Sequence, residues 1–324
     1  MHALSRYNPP PASFPMRILY VIDPLDSLNL ETETSLLMME EAARRGHENS
    51  ISTIDDLYLT EHAARARTHP IALDLARRPF YRLGDAHDRA LGEFDLILMR
   101  KDPPVDARYL AATFVLERAA ALVPVINDPV GLRTVNEKLL PLAFPGLTPP
   151  TLVTNDRTRI AGFVRGHGRA ILKPLDQCSG RGIRLLASEQ DIPTEIEGAF
   201  VLVQQFIEAV REGDKRIFLL DGIALGAVNR VPRRPEDLAN IHQGAAVVAT
   251  TITPRDHTII ATVAPTLQRL GLAMAGIDVI GGHLTEINVT SPSAVRQINA
   301  VSGTHLERQL VDFLERRSRS QRVS

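Results

Sequence analysis

Three side chains with hard oxygen ligands, Asp278, Glu286 and Asn288, lie within one short segment near the end of the chain. Side chains alternate between the two faces of a β-strand, so Glu286 and Asn288 share a face. A hairpin with a three-residue loop at residues 281–283 places Asp278 opposite Glu286, whereas a two-residue loop turns it away. Oxygen ligands of this kind suit Mg²⁺ bound together with nucleotide phosphates. We therefore predict a metal site here, the alternative being a solvated sheet face.

A glycine-containing loop follows Lys173 in the string Lys-Pro-Leu-Asp-Gln-Cys-Ser-Gly-Arg-Gly, which ends at Gly182. Glycines such as Gly180 and Gly182 free backbone N–H groups to cradle a phosphate, and the lysine adds a positive charge. The loop is not a Walker loop, because its lysine precedes the glycines and a strand follows. Phosphate binding and an ordinary hairpin turn both stay open.

Basic residues recur beside these segments, namely Lys138, Lys173, Lys215, Arg216 and Arg230. Each alone is typical of a solvated surface. As a set they could neutralise a triphosphate and bind carboxylates, since arginine forms bidentate contacts with carboxylates. The sequence contains neither a Gly-x-Ser-x-Gly nor a His-Glu-x-x-His motif, so nothing indicates a nucleophilic serine or a zinc protease.

Composition narrows the function classes. The 324 residues carry 37 Lys and Arg against 38 Asp and Glu, a net charge of −1, so no basic field favours nucleic acid. A single cysteine, Cys178, excludes an intramolecular disulfide framework and fits a reducing cytoplasm. No apolar run reaches the roughly 18 residues of a membrane helix. We expect a cytoplasmic protein that acts on small molecules, with no nucleic-acid or membrane partner.

The elements that position these residues fall into two halves. In residues 16–127, strands at 17–23, 95–100 and 124–127 alternate with helices at 32–45 and 109–122, which predicts a parallel, doubly wound α/β sheet. Ligands bind beyond the carboxyl ends of such strands, which points to the loop at residues 23–29, beginning with Asp23, and to the loop at residues 100–104. The alternative is that both are ordinary connections between strands and helices. The second half predicts an α+β fold, with antiparallel strands at 170–174, 182–186, 201–207, 216–220, 224–231, 277–280 and 284–288 and helices at 258–270 and 304–316.

Several strings resemble those of the bacterial glutathione synthetases of the ATP-grasp superfamily. The most specific are Met-Arg-Lys-Asp-Pro-Pro, which ends at Pro104, and Thr-Glu-Ile-Asn-Val-Thr-Ser-Pro, which ends at Pro292. The resemblance covers about residues 17–314. It implies an ATP-grasp fold with a Rossmann-like N-terminal domain (16–127), a lid subdomain (128–200) and a C-terminal catalytic subdomain (201–318). Residues 1–15 are then a loose extension, and 319–324 are a tail.

The resemblance also implies roles for individual residues. Those matching nucleotide-binding positions are Lys138, Lys173, Gly180, Gly182, Gln205, Phe206, Ile207 and Asp214, with Asp214 near the ribose. The matched magnesium ligands are Asp278, Glu286 and Asn288. Lys173, Arg216 and Arg230 are the expected catalytic residues. The expected acid- and amine-substrate contacts are Asp23, Arg216, Arg230, Asn240, Gly244 and Ser291.

The family reaction joins γ-glutamylcysteine to glycine through an acyl phosphate and releases ADP and phosphate. ATP is then a co-substrate and Mg²⁺ the metal, with Mn²⁺ as the alternative, and the family favours a homo-oligomer, often a tetramer. Two loops depart from the family pattern, at residues 176–182 and at residues 240–245. The alternatives are therefore an ATP-grasp ligase with a different acid or amine and, less favoured, a nucleotide-binding protein without ligase activity.

Overall fold

The computed structural model describes residues 15–177, 180–196, 199–232 and 245–322. Cys178, Asn240 and Gly244 lie outside the described residues. The described strands are β1 Arg17–Val21, β2 Glu48–Ser52, β3 Leu57–Leu59, β4 Ala64–Leu73, β5 Tyr81–Leu83, β6 His87–Ala90, β7 Leu96–Met99, β8 Val125–Ile126, β9 Thr151–Thr154, β10 Ala170–Pro174, β11 Arg184–Leu186, β12 Val201–Gln205, β13 Asp214–Leu220, β14 Ile223–Val231, β15 Ala246–Ala249, β16 Met274–Ile280 and β17 His283–Asn288. The described α-helices are α1 Thr34–Arg44, α2 Ala107–Ala120, α3 Pro129–Thr134, α4 Arg157–His167, α5 Pro254–Arg269, α6 Val295–Ser302 and α7 Leu306–Arg322.

The N-terminal sheet has β1, β2, β7 and β8 in parallel, with strand order β2-β1-β7-β8. Leu19 and Val21 of β1 pack in one core with α2, while Ile18 and Tyr20 pack in another with α1. This arrangement is the doubly wound sheet expected from the alternation of strands and helices.

Four antiparallel strands, β3 to β6, extend this sheet and were not predicted. The buried side of β4 carries Ala64, Ala66 and Thr68, and the side chains between them are Arg65 and Arg67. Small buried side chains give only a weak hydrophobic alternation, so the period of a strand is hard to see in the sequence.

Strands β9 to β12 and helix α4 form a small unit with a hydrophobic core of its own. Its sheet has the order β11-β10-β12-β9, and α4 packs on it through Ile160 and Val164. The predicted lid boundary at residue 200 falls inside this sheet, because β12 pairs with both β9 and β10. Residues Leu132, Leu140 and Leu147, which precede the small unit, belong instead to the core shared with the C-terminal sheet.

The C-terminal sheet is antiparallel, with order β15-β14-β13-β16-β17. Ile217 and Leu219 of β13 pack in one core with α5, and Phe218 and Leu220 pack in the other with α6 and α7. Helix α7 also packs against α1 of the N-terminal domain, so the two halves share a layer of helices. None of the helices in the described part of the chain combines the length and apolarity that crossing a bilayer requires.

Gly131 of α3 lies in close contact with the end of α5. A Cβ added there would lie 2.0 Å from the backbone oxygen of Leu270, the residue that caps α5. A backbone atom cannot rotate away as a side chain can, so we expect Gly131→Ala to lower the free energy of unfolding by about 1–3 kcal/mol. Urea denaturation monitored by circular dichroism measures the change.

The matched control is Gly166→Ala, inside α4, where an added Cβ has no heavy atom within 4 Å. This variant should be neutral or more stable by roughly 0.5–1 kcal/mol, because alanine loses less backbone entropy than glycine in a helix. Equal stability of the two variants would contradict the tight contact at Gly131.

Candidate active site

A cavity of about 520 Å³ lies where the small unit, the C-terminal sheet and the end of the N-terminal sheet meet. The sequence-predicted residues that line it are Lys138, Lys173, Gly180, Gln205, Phe206, Ile207, Asp214, Arg216, Arg230, Asp278, Glu286, Asn288 and Ser291. Two predicted residues, Asp23 and Gly182, are not part of its wall. Asn240 and Gly244 lie outside the described residues, so their predicted contacts stay predictions.

The hairpin of β16 and β17 brings Asp278 and Glu286 opposite each other, as expected, but by a different route. The turn has two residues, Gly281 and Gly282, both with positive φ, rather than the three residues considered in the sequence. Val279 pairs with Leu284 and Asp278 with Glu286, so Thr285 is an extra residue in a β-bulge. The bulge returns the two carboxylates to one face, because one inserted residue reverses the side-chain alternation.

Two arginines and two aspartates form the floor of the cavity. Arg216 donates from two guanidinium nitrogens to the two carboxylate oxygens of Asp278, and its Nη2 lies 2.8 Å from Asp278 Oδ2. Arg230 Nη2 reaches both Asp278 Oδ1 at 2.9 Å and Asp214 Oδ2 at 2.5 Å. Each of the four side chains is at most 15% exposed. The opposite charges therefore stabilise one another in place of water.

The two aspartates of this floor differ in their pKa. Burial would raise the pKa of Asp278, but the Arg216 and Arg230 guanidiniums outweigh it and hold that pKa well below its usual range. Burial dominates at Asp214 and raises its pKa to about 7, although Arg230 opposes the change. Asp214 Oδ1 is buried without a hydrogen-bond partner among the described residues, which agrees with the cost of burying that carboxylate.

Glu286 and Asn288 present oxygen atoms to the cavity beside this floor. Asn288 donates from Nδ2 to Gly276 O and to Asp278 Oδ2, both at 3.3 Å, which leaves its amide oxygen as an acceptor. Within the described residues, Glu286 makes no hydrogen bond or ion pair. Burial and the charge of Asp278 raise the pKa of Glu286, and Lys138 and Lys173 lower it.

An unpaired carboxylate and a free amide oxygen are a donor set that fits a divalent cation. Asp278 adjoins them, but both of its oxygens already bond to arginines. In the described part of the chain, no three His, Cys, Asp or Glu side chains gather into a metal cluster. The residues present therefore fit a cation with few protein ligands, one that takes its remaining ligands from a phosphate substrate or water.

The two lysines approach this oxygen pair from different elements. Lys173 on β10 donates from Nζ to Gln204 Oε1 at 3.2 Å, and burial lowers the pKa of Lys173. Lys138, which precedes the small unit, donates from Nζ to Gln177 O in the glycine loop. Gly182 in that loop has φ +69° and lies against Pro174, so its role here is to shape the turn.

The far end of the cavity is an apolar slot at the end of β12, where Gln205, Phe206 and Ile207 line the wall. The Arg169 guanidinium stacks on the Phe206 ring at 4.5 Å from its centroid. Ile171, Ile183 and Ile280 line the same cavity. An apolar wall with an aromatic ring suits a planar heterocyclic base.

The opposite end is acidic and involves the N-terminal domain. Asp23 accepts a hydrogen bond from Asp102 N at 2.8 Å and pairs with Lys101 at 2.8 Å. Asp23 thus supports Asp102, which lines the cavity in its place. Partial burial and the nearby carboxylates of Glu33 and Asp23 raise the pKa of Asp102 to about 6.

Sequence reasoning gave no role to several residues of the wall, including Glu137, Arg169 and Gln204, and included Asp102 only within the candidate loop at residues 100–104. Glu137 stands directly before Lys138 in the sequence, but only the lysine was matched to a nucleotide-binding position. Gln204 lies in a strand, where its contact with Lys173 depends on which strand pairs with which. Such contacts between distant segments have no signal in the local sequence.

The arrangement defines a class of enzyme. An antiparallel small unit and a larger antiparallel sheet enclose an apolar wall, two lysines and a pair of oxygen ligands, and this is the architecture of the ATP-grasp fold. The fold is similar to that of the ATP-grasp ligase PsnB, with a TM-score of 0.63 at 18% identity over 94% of this chain and 99% of that one. D-cycloserine synthetase DcsG has a TM-score of 0.63 at 15% identity over 92% and 99%.

Comparison of the sequence with protein families identifies one family within this fold. Residues 16–133 match the N-terminal domain of prokaryotic glutathione synthetase, and residues 137–303 match its ATP-grasp domain. The chain is 43% identical to the glutathione synthetase of Gloeobacter violaceus over 312 residues, which is 92% of this chain and 96% of that one. It is 40% identical to that of a Synechocystis species over 93% and 99%.

The chain therefore belongs to the prokaryotic glutathione synthetase family, and it is an ATP-dependent ligase that needs a divalent metal. The ATP-grasp fold and the family resemblance drawn from the sequence motifs are confirmed.

The lowered pKa of Lys173 gives a pH prediction for nucleotide binding. Only the charged ammonium attracts phosphate, so ADP affinity should fall as pH rises through a pKa below that of an ordinary lysine. The charges that face Lys173 are Glu286, Asp214, Asp278 and Lys138. Lys173→Arg keeps its charge at every pH used. Calorimetric titration with ADP between pH 7 and 10 should show a smaller alkaline decline in this variant.

Lys215→Arg is the matched control, because Lys215 pairs with Asp256 at 2.6 Å and does not line the cavity. It should keep the alkaline decline of the unmodified chain. An identical decline in Lys173→Arg would show that another group controls the pH dependence.

Proposed function

We propose that this chain joins γ-glutamylcysteine to glycine at the expense of ATP, which yields glutathione, ADP and phosphate. The observation that carries the proposal is the cavity itself, which brings two lysines, an unpaired glutamate and two arginines to one place. Relatives named glutathione synthetase, at 43% and 40% identity over almost the whole chain, support the choice of substrates.

The reaction has two steps. A carboxylate oxygen of γ-glutamylcysteine attacks the γ-phosphorus of ATP, the bond to the bridging oxygen breaks, and ADP leaves. The amine of glycine then attacks the acyl carbon, loses a proton and expels inorganic phosphate, which leaves an amide. A carboxylate is a poor electrophile, so the phosphoryl group serves to provide a good leaving group. Neither step needs a nucleophile from the protein.

The protein then contributes mainly position and charge. Lys138 and Lys173 would hold the phosphates, and the slot at Gln205 to Ile207 would take the adenine. Arg216 and Arg230 would face the acyl phosphate while they stay anchored on Asp278 and Asp214. Fixed cations directed at developing negative charge are the main source of catalysis in phosphoryl transfer.

Glu286 and Asn288, with Asp278 beside them, would hold the divalent cation. We propose Mg²⁺ as the physiological ion and Mn²⁺ as a substitute, because all the available donors are oxygens. When bound, the cation would neutralise phosphate charge. The predicted contacts of Asn240, Gly244 and Ser291 with the substrates, the cytoplasmic location and the homo-oligomeric state stay predictions.

The small unit, residues 151–205, would act as a lid. It has a core of its own, and it supplies Lys173 to the cavity and, with the adjoining Phe206 and Ile207, the base slot. Closure over the substrates would keep water from the acyl phosphate, which would otherwise hydrolyse.

The proposal is tested by phosphate release from the purified chain with ATP and Mg²⁺, with γ-glutamylcysteine and glycine each left out in turn. We expect release to require both substrates and glutathione to appear in the mass spectrum. Release that needs a different acid or amine would keep the ligase and reject this substrate pair.

Glu286→Gln tests the metal assignment within the same assay. Loss of the Glu286 carboxylate, which has no partner among the described residues, should lower kcat/KM on the order of 10²–10³-fold, the usual effect of removing one electrostatic stabiliser from an active site. Glu212→Gln is the control, because Glu212 is exposed and outside the cavity wall. Equal activity of Glu286→Gln and the unmodified chain would remove Glu286 from the site.

A further inference from the structure

Glu137 lies between the glycine loop and the strand that carries Glu286 and Asn288. Its Oε1 accepts three hydrogen bonds, from Val289 N at 2.7 Å and from Thr290 N and Oγ1 at 2.9 Å. Its backbone oxygen accepts a fourth, from Ile287 N at 3.0 Å. One residue thus holds every position from 287 to 290 except Asn288 itself.

The neighbours of Glu137 bind the other side of the site. Asn136 donates from Nδ2 to Leu175 O at 3.1 Å, in the loop that follows Lys173. Lys138 donates from Nζ to Gln177 O in the glycine loop. The tripeptide of residues 136–138 therefore joins the two segments that face each other across the cavity.

The strand end that Glu137 holds also pairs with β16 through Asn288 and Gly276, and Val289 O accepts a hydrogen bond from Asn127 Nδ2 at 2.7 Å. β17 ends at Asn288, and it is an edge strand of its sheet, paired on one side with β16. The bulge at Thr285 interrupts that pairing three residues before Asn288. An edge strand with a bulge can shift by a fraction of an ångström, and metal affinity is sensitive to such shifts in ligand orientation.

We propose that Glu137 is a positioning residue for the divalent cation, and that its carboxylate oxygen fixes the direction of the Glu286 and Asn288 side chains. The inference rests on the metal site of the proposed function. It assigns Glu137 no contact with the cation; the requirement is one acceptor oxygen at the place of Oε1. Charged acceptors bond more strongly than neutral ones, so a carboxylate serves better than an amide.

The test measures metal binding directly, without turnover. Mn²⁺ is titrated into the full chain at saturating ADP, and free Mn²⁺ is read by electron paramagnetic resonance. Glu137→Ala should raise the dissociation constant of Mn²⁺ by about 10–100-fold, the usual cost of losing a group that orients metal ligands. Glu137→Gln keeps an acceptor oxygen and should stay within about 3-fold of the unmodified chain.

Two further variants distinguish loss of the metal site itself from loss of the positioning by Glu137. Glu286→Gln is the reference for loss of a metal ligand, and unchanged Mn²⁺ binding in that variant would reject the metal site itself. Thr290→Val removes one of the three donors to Oε1 and should weaken Mn²⁺ binding less than Glu137→Ala does. In the double variant of Thr290→Val and Glu137→Ala, the two effects should be less than additive, because both remove bonds to the same oxygen.

Two results would contradict this role of Glu137. Glu137→Gln as damaging as Glu137→Ala would mean that the charge matters and not the acceptor position. Unchanged Mn²⁺ affinity in Glu137→Ala, while Glu286→Gln loses it, would leave Glu137 with no role toward the cation. The unfolding temperature without ligands, compared with that of Glu212→Ala, identifies any variant that loses affinity merely because it fails to fold.

Discussion

The paired charges of Arg216, Arg230, Asp214 and Asp278 are the interaction on which the rest of the site depends. Asp214 pairs with Arg230, and Arg216 with Asp278, as direct neighbours across β13, β14 and β16. Removal of one member of a buried ion pair typically costs 3–5 kcal/mol, since the partner stays buried without compensation. The register of these three strands is therefore tied to the chemistry of the cavity floor. When all four groups are ionised, their charges sum to zero.

Much of the site could be predicted from local patterns. The α/β alternation gave the N-terminal sheet, and the turn residues gave both hairpins of the C-terminal sheet. The pairing of Asp278 with Glu286 was anticipated, but its cause was not: the sequence suggested a longer turn, and the structure has a short turn with a bulge at Thr285. Turn residues indicate where a hairpin reverses, whereas a bulge depends on packing with the neighbouring strand.

Other features could not be read from one sequence, because they join distant segments. Strand β12 pairs with β9 and β10, and this pairing places Gln204 beside Lys173. Asp23 was expected at the substrate and instead supports Asp102. Glu137 carries no signal except its position before Lys138. In each case the residue type was visible and the partner was not.

Helix α7, near the C-terminal end of the described residues, packs against α1 of the N-terminal domain. Arg45, which caps α1, reaches Asp312 at 2.6 Å and Glu315 at 3.2 Å, and His47 lies 3.0 Å from Glu315. During synthesis on the ribosome, α1 emerges well before α7, so this face of α1 lacks the α7 contact while the segments between them are made. The N-terminal domain therefore completes its packing only when α7 becomes available, and contacts so distant in sequence form slowly.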